Sequence, residues 1–184
     1  MASLPAEQLK PPEPGRVFLS RETIAARVGE LAAQISRDYR GRELVLVTVL
    51  KGAIVFLADL SRELTVDHRL EFMAISAYRG ASKGSSGRIR LLKDLDAPVR
   101  GQHLLIVEDV IDTGLTLHTL LKTLRFRGPG SIEICTLLDR PYRRLVELPV
   151  RYSGFTASDD FVVGYGFDYR QRFRNLPDIH LLER

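Results

Sequence analysis

The sequence predicts an α/β protein whose mainly parallel, twisted sheet is flanked by helices. Apolar runs over residues 44–50, 104–107 and 134–138 are typical of strands buried on both faces, and the last of these strands is predicted over residues 131–138. Segments with apolar residues at helical spacing lie between these runs, over residues 53–64 and 116–127. Strand, helix and strand at this spacing predict βαβ units with right-handed crossovers.

The remaining elements follow in chain order. Residues 1–16 contain four prolines and are predicted to form a flexible N-terminal arm. Ser20 has the position of an N-cap, because apolar residues at helical spacing follow it over residues 24–35. Residues 69–78 predict another strand. No repeat or interior linker divides the chain, so residues 17–184 are expected to form a single domain.

Composition restricts the class of protein. The net charge is 27 − 23 = +4, which does not by itself predict binding to nucleic acid. Cys135 is the only cysteine and lies in an apolar run, so it is expected to be a buried structural thiol. No signal peptide or membrane-length apolar run is present, and a cytoplasmic protein that does not bind membranes is expected.

The most informative stretch joins an apolar strand to a helix through acidic and small residues. Glu108 and Asp109 are expected at the carboxyl end of the strand, and a short turn follows over residues 112–114. The first amides of the next helix lack intrahelical partners, and the helix dipole favours an anion there. Hydroxyl groups of Thr113 and Thr116 add donors. Because carboxylates repel a phosphate but suit sugar hydroxyls or a metal, the pattern predicts a sugar-phosphate site.

Other polar residues end neighbouring strands at the same predicted edge, where ligands of open α/β sheets bind. Lys51 and Gly52 follow one strand, and Arg140 follows another. A tight turn with a solvated lysine and a surface ion pair remain alternatives. The flexible composition of residues 79–88 fits either a mobile hairpin or a lid over the site. Neither GxxxxGK[ST] nor GxGxxG occurs, which argues against a nucleoside triphosphatase or a dinucleotide enzyme.

Four blocks resemble those of purine phosphoribosyltransferases of the hypoxanthine–guanine type, in the same order and spacing. They are residues 51–52, 107–116, 160–169 and 173–177, and the likeness runs from about residue 17 to residue 182. The resemblance implies a type I phosphoribosyltransferase fold with a small hood over the carboxyl edge of the sheet. The hood would combine N-terminal residues with a C-terminal part from about residue 150 to residue 184.

The resemblance also implies a reaction and its partners. The phosphoribosyl group of 5-phosphoribosyl-1-pyrophosphate would pass to a 6-oxopurine base, hypoxanthine or guanine, with Mg²⁺ as cofactor. The products would be a nucleoside monophosphate and pyrophosphate, as in purine salvage. A homodimer or homotetramer is expected, with no nucleic acid as partner.

Roles of individual residues at the sugar-phosphate end follow from the same likeness. Glu108 and Asp109 would take the ribose hydroxyls and, with Asp168, would serve as metal ligands. Asp112 would be the catalytic residue that accepts or shares the proton of the base. The 5′-phosphate would bind the turn made of Asp112, Thr113, Gly114, Leu115 and Thr116. Pyrophosphate would bind Lys51, Gly52 and Arg174, after a cis peptide bond between Leu50 and Lys51.

The base would bind three residues. Arg140 would donate a hydrogen bond to its O6, Phe161 would stack on its face, and the backbone of Val162 would recognise its edge. Family members usually have lysine where Arg140 stands, so the preferred base stays open. Ser76, Ala77 and Tyr78 would belong to the lid, and the family usually has serine in place of Ala77.

Three alternatives remain at this stage. A phosphoribosyltransferase that prefers xanthine would have the same general pattern. A regulator that keeps the fold but binds RNA or DNA through the arginines of residues 170–174 is a rival from another class. An α/β protein with a different phosphate ligand is the third.

Overall fold

The computed structural model describes residues 13–77 and 89–183. The described residues form two sheets and three α-helices. The helices are α1 (Arg21–Asp38), α2 (Ile54–Glu63) and α3 (Leu115–Arg125). The strands are β1 (Pro14–Leu19), β2 (Leu44–Val49), β3 (His68–Ala77), β4 (Ile89–Lys93), β5 (His103–Ile111), β6 (Ser131–Asp139), β7 (Val150–Thr156), β8 (Val162–Val163) and β9 (Ile179–Leu182).

The large sheet has the strand order β4-β3-β2-β5-β6-β7. Neighbouring strands from β3 to β7 are parallel, and only β4 pairs antiparallel, at the edge. The predicted α/β class with a mainly parallel sheet is therefore confirmed. Its carboxyl edge gathers the ends of β2, β5 and β6, which follow one another in the middle of the sheet.

Helices cover both faces of this sheet, because alternate residues of its buried strands point to opposite sides. Leu44 and Leu46 of β2 pack into one cluster with apolar residues of α1 and α2. Val45 and Val47 pack into a second cluster with the apolar face of α3. Cys135 of β6 is fully buried in the first cluster, as predicted, and burial raises the pKa of its thiol.

A local signal marks the start of the first helix. The Ser20 side chain accepts a hydrogen bond from the Thr23 N–H at 3.3 Å, so Ser20 is the N-cap that the sequence predicted. Within residues 13–77 and 89–183, no helix is both long enough and apolar enough to cross a bilayer.

Strand β5 is longer than its apolar run. It continues through Glu108 and Asp109 to Ile111, because β6 pairs with it as far as the Ile111–Asp139 pair. The expectation that both carboxylates follow the strand was therefore wrong. They project from the last part of the strand itself.

A second sheet, with the order β1-β9-β8, joins the N-terminal strand to two C-terminal strands. Two predicted boundaries change. Strand β1 begins at Pro14, so residues 14–16 lie in a strand rather than in the predicted arm, and residues 1–12 of that predicted arm lie outside the described part. Strand β7 pairs with β6 in the large sheet, so the C-terminal part of the small sheet begins after residue 156 rather than near residue 150.

Candidate active site

Two adjoining cavities open at the carboxyl edge of the large sheet. The first has a volume of about 310 Å³ and is lined by the ends of β2 and β5 and by the start of α3. The second has a volume of about 360 Å³ and is lined by the β6 end and the segment that includes β8. Asp109, Val110 and Asp112 line both cavities, so the two spaces share a wall.

The turn before α3, predicted to bind the phosphate, forms part of the wall of the first cavity. Gly114 is the N-cap residue with φ of 77°, a conformation that favours glycine. A β-carbon there would also lie 2.9 Å from Leu148 Cδ1. Thr113 and Thr116 line the first cavity, whereas Leu115 is 41% exposed. Leu115 is therefore the one predicted phosphate-binding residue that does not line this cavity.

Glu108 and Asp109 lie side by side in the wall of the first cavity. Burial, and secondly the neighbouring Asp109 charge, raise the pKa of Glu108 well above its ordinary value of 4.5. Burial also raises the pKa of Asp109, although its Oδ1 accepts a hydrogen bond from the Val110 N–H at 2.7 Å. Among the described ion pairs none includes either carboxylate. A ligand with hydroxyl donors or a cation would stabilise their charged forms.

Lys51 and Gly52 also line the first cavity, and the backbone of Gly52 lies directly beside the carboxylate of Asp109. The Leu50–Lys51 peptide bond is cis, as the family resemblance implied. The Lys51 Nζ atom donates to Gln171 Oε1 at 3.3 Å, which links the end of β2 to the segment after β8. The backbone of Gly52 also lies against Gly166, where a β-carbon would be 2.2 Å from the Gly52 carbonyl oxygen.

Asp168 and Arg174 are brought together and partner each other. Arg174 Nη2 lies 2.6 Å from Asp168 Oδ1, and the Gln171 N–H donates to Asp168 Oδ2 at 2.7 Å. Arg174 also donates to the Gly166 carbonyl at 2.6 Å. Across residues 13–77 and 89–183, no three acidic, histidine or cysteine side chains converge as a metal site. Glu108, Asp109 and Asp168, the predicted metal ligands, are therefore not gathered into one group in the described part of the chain, and Asp168 pairs with Arg174.

The second cavity contains the three residues predicted to bind a base. Arg140 donates from Nη2 to the Asp160 carbonyl at 2.8 Å, while its buried Nε–H has no acceptor among the described residues. Phe161 is 43% exposed and meets Tyr169 edge-on, with 6.0 Å between ring centroids. Val162 is buried in β8. The second cavity therefore combines an exposed aromatic ring with an arginine side chain, a combination that suits a flat ligand with polar edges.

Asp112 has a partner that the sequence reasoning missed. Arg143 Nε lies 2.7 Å from Asp112 Oδ1, and Arg143 Nη1 lies 3.3 Å from Asp159 Oδ1. All three side chains line the second cavity. The sequence shows two further arginines, Arg143 and Arg144, shortly after Arg140. Only the fold shows that Arg143 lies against Asp112.

The predicted lid is only partly described. Ser76 and Ala77 end β3, where their backbones pair with Arg90 and Ile89 of β4. The preceding residue, Ile75, lines the first cavity. Tyr78 and the segment 79–88, interpreted as a hairpin or a lid, lie outside the described residues.

Comparisons with known proteins agree with this geometry. Residues 18–170 match the model of the phosphoribosyl transferase domain family. The hypoxanthine-guanine phosphoribosyltransferase of Mycobacterium avium is 47% identical over 185 residues, covering 97% of this chain and 90% of that protein. The hypoxanthine phosphoribosyltransferase of Escherichia coli is 47% identical over 165 residues, covering 89% of this chain and 92% of that protein.

Solved structures give the same result at the level of the fold. A crystal structure of a hypoxanthine-guanine phosphoribosyltransferase from Bacillus anthracis superposes with a TM-score of 0.88 at 42% identity. The alignment covers 94% of this chain and 99% of that one. The predicted type I phosphoribosyltransferase fold is thus confirmed. From its sequence, its fold and the arrangement of its carboxyl edge, the chain belongs to the phosphoribosyl transferase domain family.

Proposed function

We propose that the protein transfers the 5-phosphoribosyl group of phosphoribosyl pyrophosphate to a 6-oxopurine, hypoxanthine or guanine, in purine salvage. The observation that carries this proposal is that Asp112 lines two adjoining cavities of different chemistry. One has the phosphate turn and two carboxylates, and the other has an exposed phenyl ring and an arginine. A sugar phosphate in the first space and a planar base in the second would meet at Asp112.

The sugar-phosphate cavity suits each part of phosphoribosyl pyrophosphate. The 5′-phosphate would bind the turn before α3, where free amides and Thr113 and Thr116 supply donors. Glu108 and Asp109 would accept hydrogen bonds from the two ribose hydroxyls. Lys51 in this cavity, together with Arg174 in the wall of the adjoining second cavity, would bind the pyrophosphate. The pyrophosphate would then replace Gln171 Oε1 as the partner of Lys51 and Asp168 as the partner of Arg174.

The reaction exchanges one bond at the ribose carbon C1′ for another. The bond from C1′ to pyrophosphate breaks, and a base nitrogen forms the new bond to C1′. Positive charge builds on the ribose, and carboxylates at its hydroxyls favour that charge. The proton on N7 of the base passes to Asp112, which acts as a general base worth ~10²–10⁴-fold in rate.

The base cavity favours a purine with an oxygen at C6. Phe161 offers a stacking surface, and such stacking contributes roughly 1–3 kcal/mol per base in proteins that bind single-stranded nucleic acids. The guanidinium of Arg140, which lines this cavity, would donate to O6. The 6-amino group of adenine offers no acceptor in that position, so adenine would leave this donor unpaired.

The cofactor is proposed to be Mg²⁺, carried by the substrate. Mg²⁺ commonly keeps several waters and binds one or two carboxylates together with substrate phosphates. The paired carboxylates of Glu108 and Asp109, which lack a described cationic partner, fit that pattern better than a closed protein site. When bound, the ion would stabilise the negative charge of the leaving pyrophosphate.

The proposal is tested by initial rates with hypoxanthine, guanine, xanthine and adenine in the presence of phosphoribosyl pyrophosphate and Mg²⁺. We expect turnover of hypoxanthine, guanine or both, and none of adenine. Xanthine as the preferred base would replace the substrate assignment by that of a xanthine-preferring enzyme. No turnover of any base would contradict the function.

We further propose a cytoplasmic homodimer or homotetramer. The buried free thiol of Cys135 fits a compartment that keeps thiols reduced. A structure from Trypanosoma cruzi, 37% identical over 92% of this chain, concerns the oligomeric state of that hypoxanthine phosphoribosyl transferase. Sedimentation velocity of the purified chain tests the assembly, and a monomer at micromolar concentration would contradict it.

A further inference from the structure

The loop between β6 and β7, residues 140–149, packs against the turn before α3. The Leu145 N–H donates to the Thr113 carbonyl at 3.0 Å. The side chain of Leu148 fills the space beside Gly114, where a β-carbon would come within 2.9 Å of it. These contacts fix the loop relative to the predicted phosphate turn, and they bring Arg143 to Asp112.

Arg143 bridges two carboxylates from different parts of the chain. Its Nε lies 2.7 Å from Asp112 Oδ1, and its Nη1 lies 3.3 Å from Asp159 Oδ1. Asp159 is further held by the Tyr142 hydroxyl, which donates to Asp159 Oδ1 at 3.3 Å and to the Ala157 carbonyl at 3.0 Å. The position of the guanidinium is thus determined from both sides of the cavity.

Asp112 needs this cation. Its Oδ1 is buried and accepts no well-directed hydrogen bond from a described residue, and a buried carboxylate oxygen without compensation is unfavourable. Arg143 is the one cationic side chain within 4.0 Å of Asp112 in the described part of the chain. The Asp112 side chain is still 40% exposed, so its remaining atoms are open to the cavity.

We propose that Arg143 is a positioning residue, which holds one oxygen of Asp112 so that the carboxylate faces the base, and which itself stays anchored to Asp159. The inference rests on the proposed function, in which Asp112 receives the proton of the base. Arg143 acts through Asp112 and does not contact the sugar phosphate. Its anchor on Asp159 keeps the guanidinium in the cavity wall while the carboxylate turns to the base.

The experiment compares three variants with the parent enzyme. Arg143→Gln removes the cation, and Arg143→Lys keeps the charge without the second arm of the guanidinium. Arg151→Gln is the matched control, because Arg151 is 46% exposed, like Arg143 at 39%, and pairs with Asp38 at 2.8 Å away from the site. The readouts are kcat, the KM of each substrate and the midpoint of thermal unfolding.

We expect Arg143→Gln to lower kcat/KM for the base about 10²-fold, the size of loss that a 1 Å misplacement of a reacting group causes. The KM for phosphoribosyl pyrophosphate should stay at the parent value. Arg143→Lys should recover at least part of the loss, and Arg151→Gln should match the parent. The unfolding midpoint of Arg143→Gln should fall only slightly, because the Asp112 side chain that loses its cation is still 40% exposed to solvent.

Two kinetic outcomes would overturn the proposal. One is a kcat/KM for Arg143→Gln equal to that of the Arg151→Gln control. The other is an equal rise in the KM of both substrates with a lowered unfolding midpoint and no recovery by lysine, which is the pattern of general structural damage.

A measurement without turnover separates this proposal from the proposed function. In the unliganded protein, the Nε–H resonance of Arg143 should shift in Asp112→Asn and should not shift in Asp168→Asn. If the Arg143 Nε–H resonance has the same position in Asp112→Asn as in the parent protein, the positioning role is overturned, whether or not any base is turned over. Absence of turnover in the parent enzyme would contradict the function alone.

Discussion

The carboxylate of Asp109 occupies the space where a side chain at residue 52 would begin. A β-carbon on Gly52 would lie 1.8 Å from Asp109 Oδ2. Strand β5 and the loop after β2 therefore approach each other at a distance that only glycine permits. This contact joins the predicted ribose-binding carboxylates to the predicted pyrophosphate loop. The close approach of Gly52 and Asp109 therefore sets the distance between these two parts of the site.

Replacement of Gly52 by alanine should damage the site more than the fold. The added methyl group must displace Asp109 or the loop, and overpacking of this kind costs roughly 1–3 kcal/mol of stability. Displacement of a binding group by about 1 Å should lower kcat/KM for phosphoribosyl pyrophosphate ~10²-fold. Steady-state kinetics and denaturant unfolding measure the two effects.

Gly29→Ala is the control for that substitution. Gly29 lies inside α1, and a β-carbon there meets nothing within 4 Å. Alanine should raise stability there by roughly 0.5–1 kcal/mol and leave the kinetics unchanged. Kinetics of Gly52→Ala like those of Gly29→Ala would show that the close approach has no role in binding.

The sequence predicted those features that depend on short-range pattern. The apolar runs of β2 and β6 mark buried strands because both faces of a parallel sheet are covered. Ser20 marks the start of α1 because an N-cap is a local interaction. Only the sheet pairing shows that β5 continues through Glu108 and Asp109, since carboxylates at a strand end resemble the start of a loop.

Features formed by distant residues were beyond such reasoning. Asp168 pairs with Arg174 instead of joining Glu108 and Asp109 in a group of three carboxylates. The residue types alone do not indicate this pairing. Arg143 belongs to the site because the β6–β7 loop folds back on the turn before α3. The base-binding residues are predicted from family resemblance alone, because an exposed phenylalanine or a strand-end arginine also occurs in many proteins that bind no purine.

Stability should depend on pH through Glu108. Its pKa in the folded protein is raised well above 4.5 by burial and by Asp109, so the folded state favours the protonated form. The stability that this group contributes is present below pH 4.5 and is lost as the pH rises towards its folded-state pKa. Glu108→Gln cannot ionise and should therefore gain stability relative to the parent protein as the pH rises.

Urea unfolding at about pH 5 and about pH 8 measures this effect. The difference in unfolding free energy between Glu108→Gln and the parent should be larger at the higher pH. The exposed Glu63, replaced by glutamine, serves as the control. A difference for Glu108→Gln that stays the same at both pH values would mean that the carboxyl group is not desolvated in the folded protein.

Arg140 should determine how well the base oxygen is recognised. Arg140→Met removes the guanidinium donor and should lower kcat/KM for hypoxanthine about 10–10²-fold, since a hydrogen bond from a charged group is worth roughly 1.5–3 kcal/mol. Arg140→Lys keeps a cationic donor and should retain activity within about tenfold. Equal activity of Arg140→Met and the parent enzyme would exclude a role in base binding.

Asp112 lines both cavities and is proposed to take the proton of the base. The most direct measurement compares Asp112→Asn with the parent enzyme in kcat and in the equilibrium binding of phosphoribosyl pyrophosphate. Asparagine keeps the shape of the side chain but does not accept that proton, so kcat should fall ~10²–10⁴-fold while binding of the sugar phosphate is preserved. An unchanged kcat in Asp112→Asn would contradict the account.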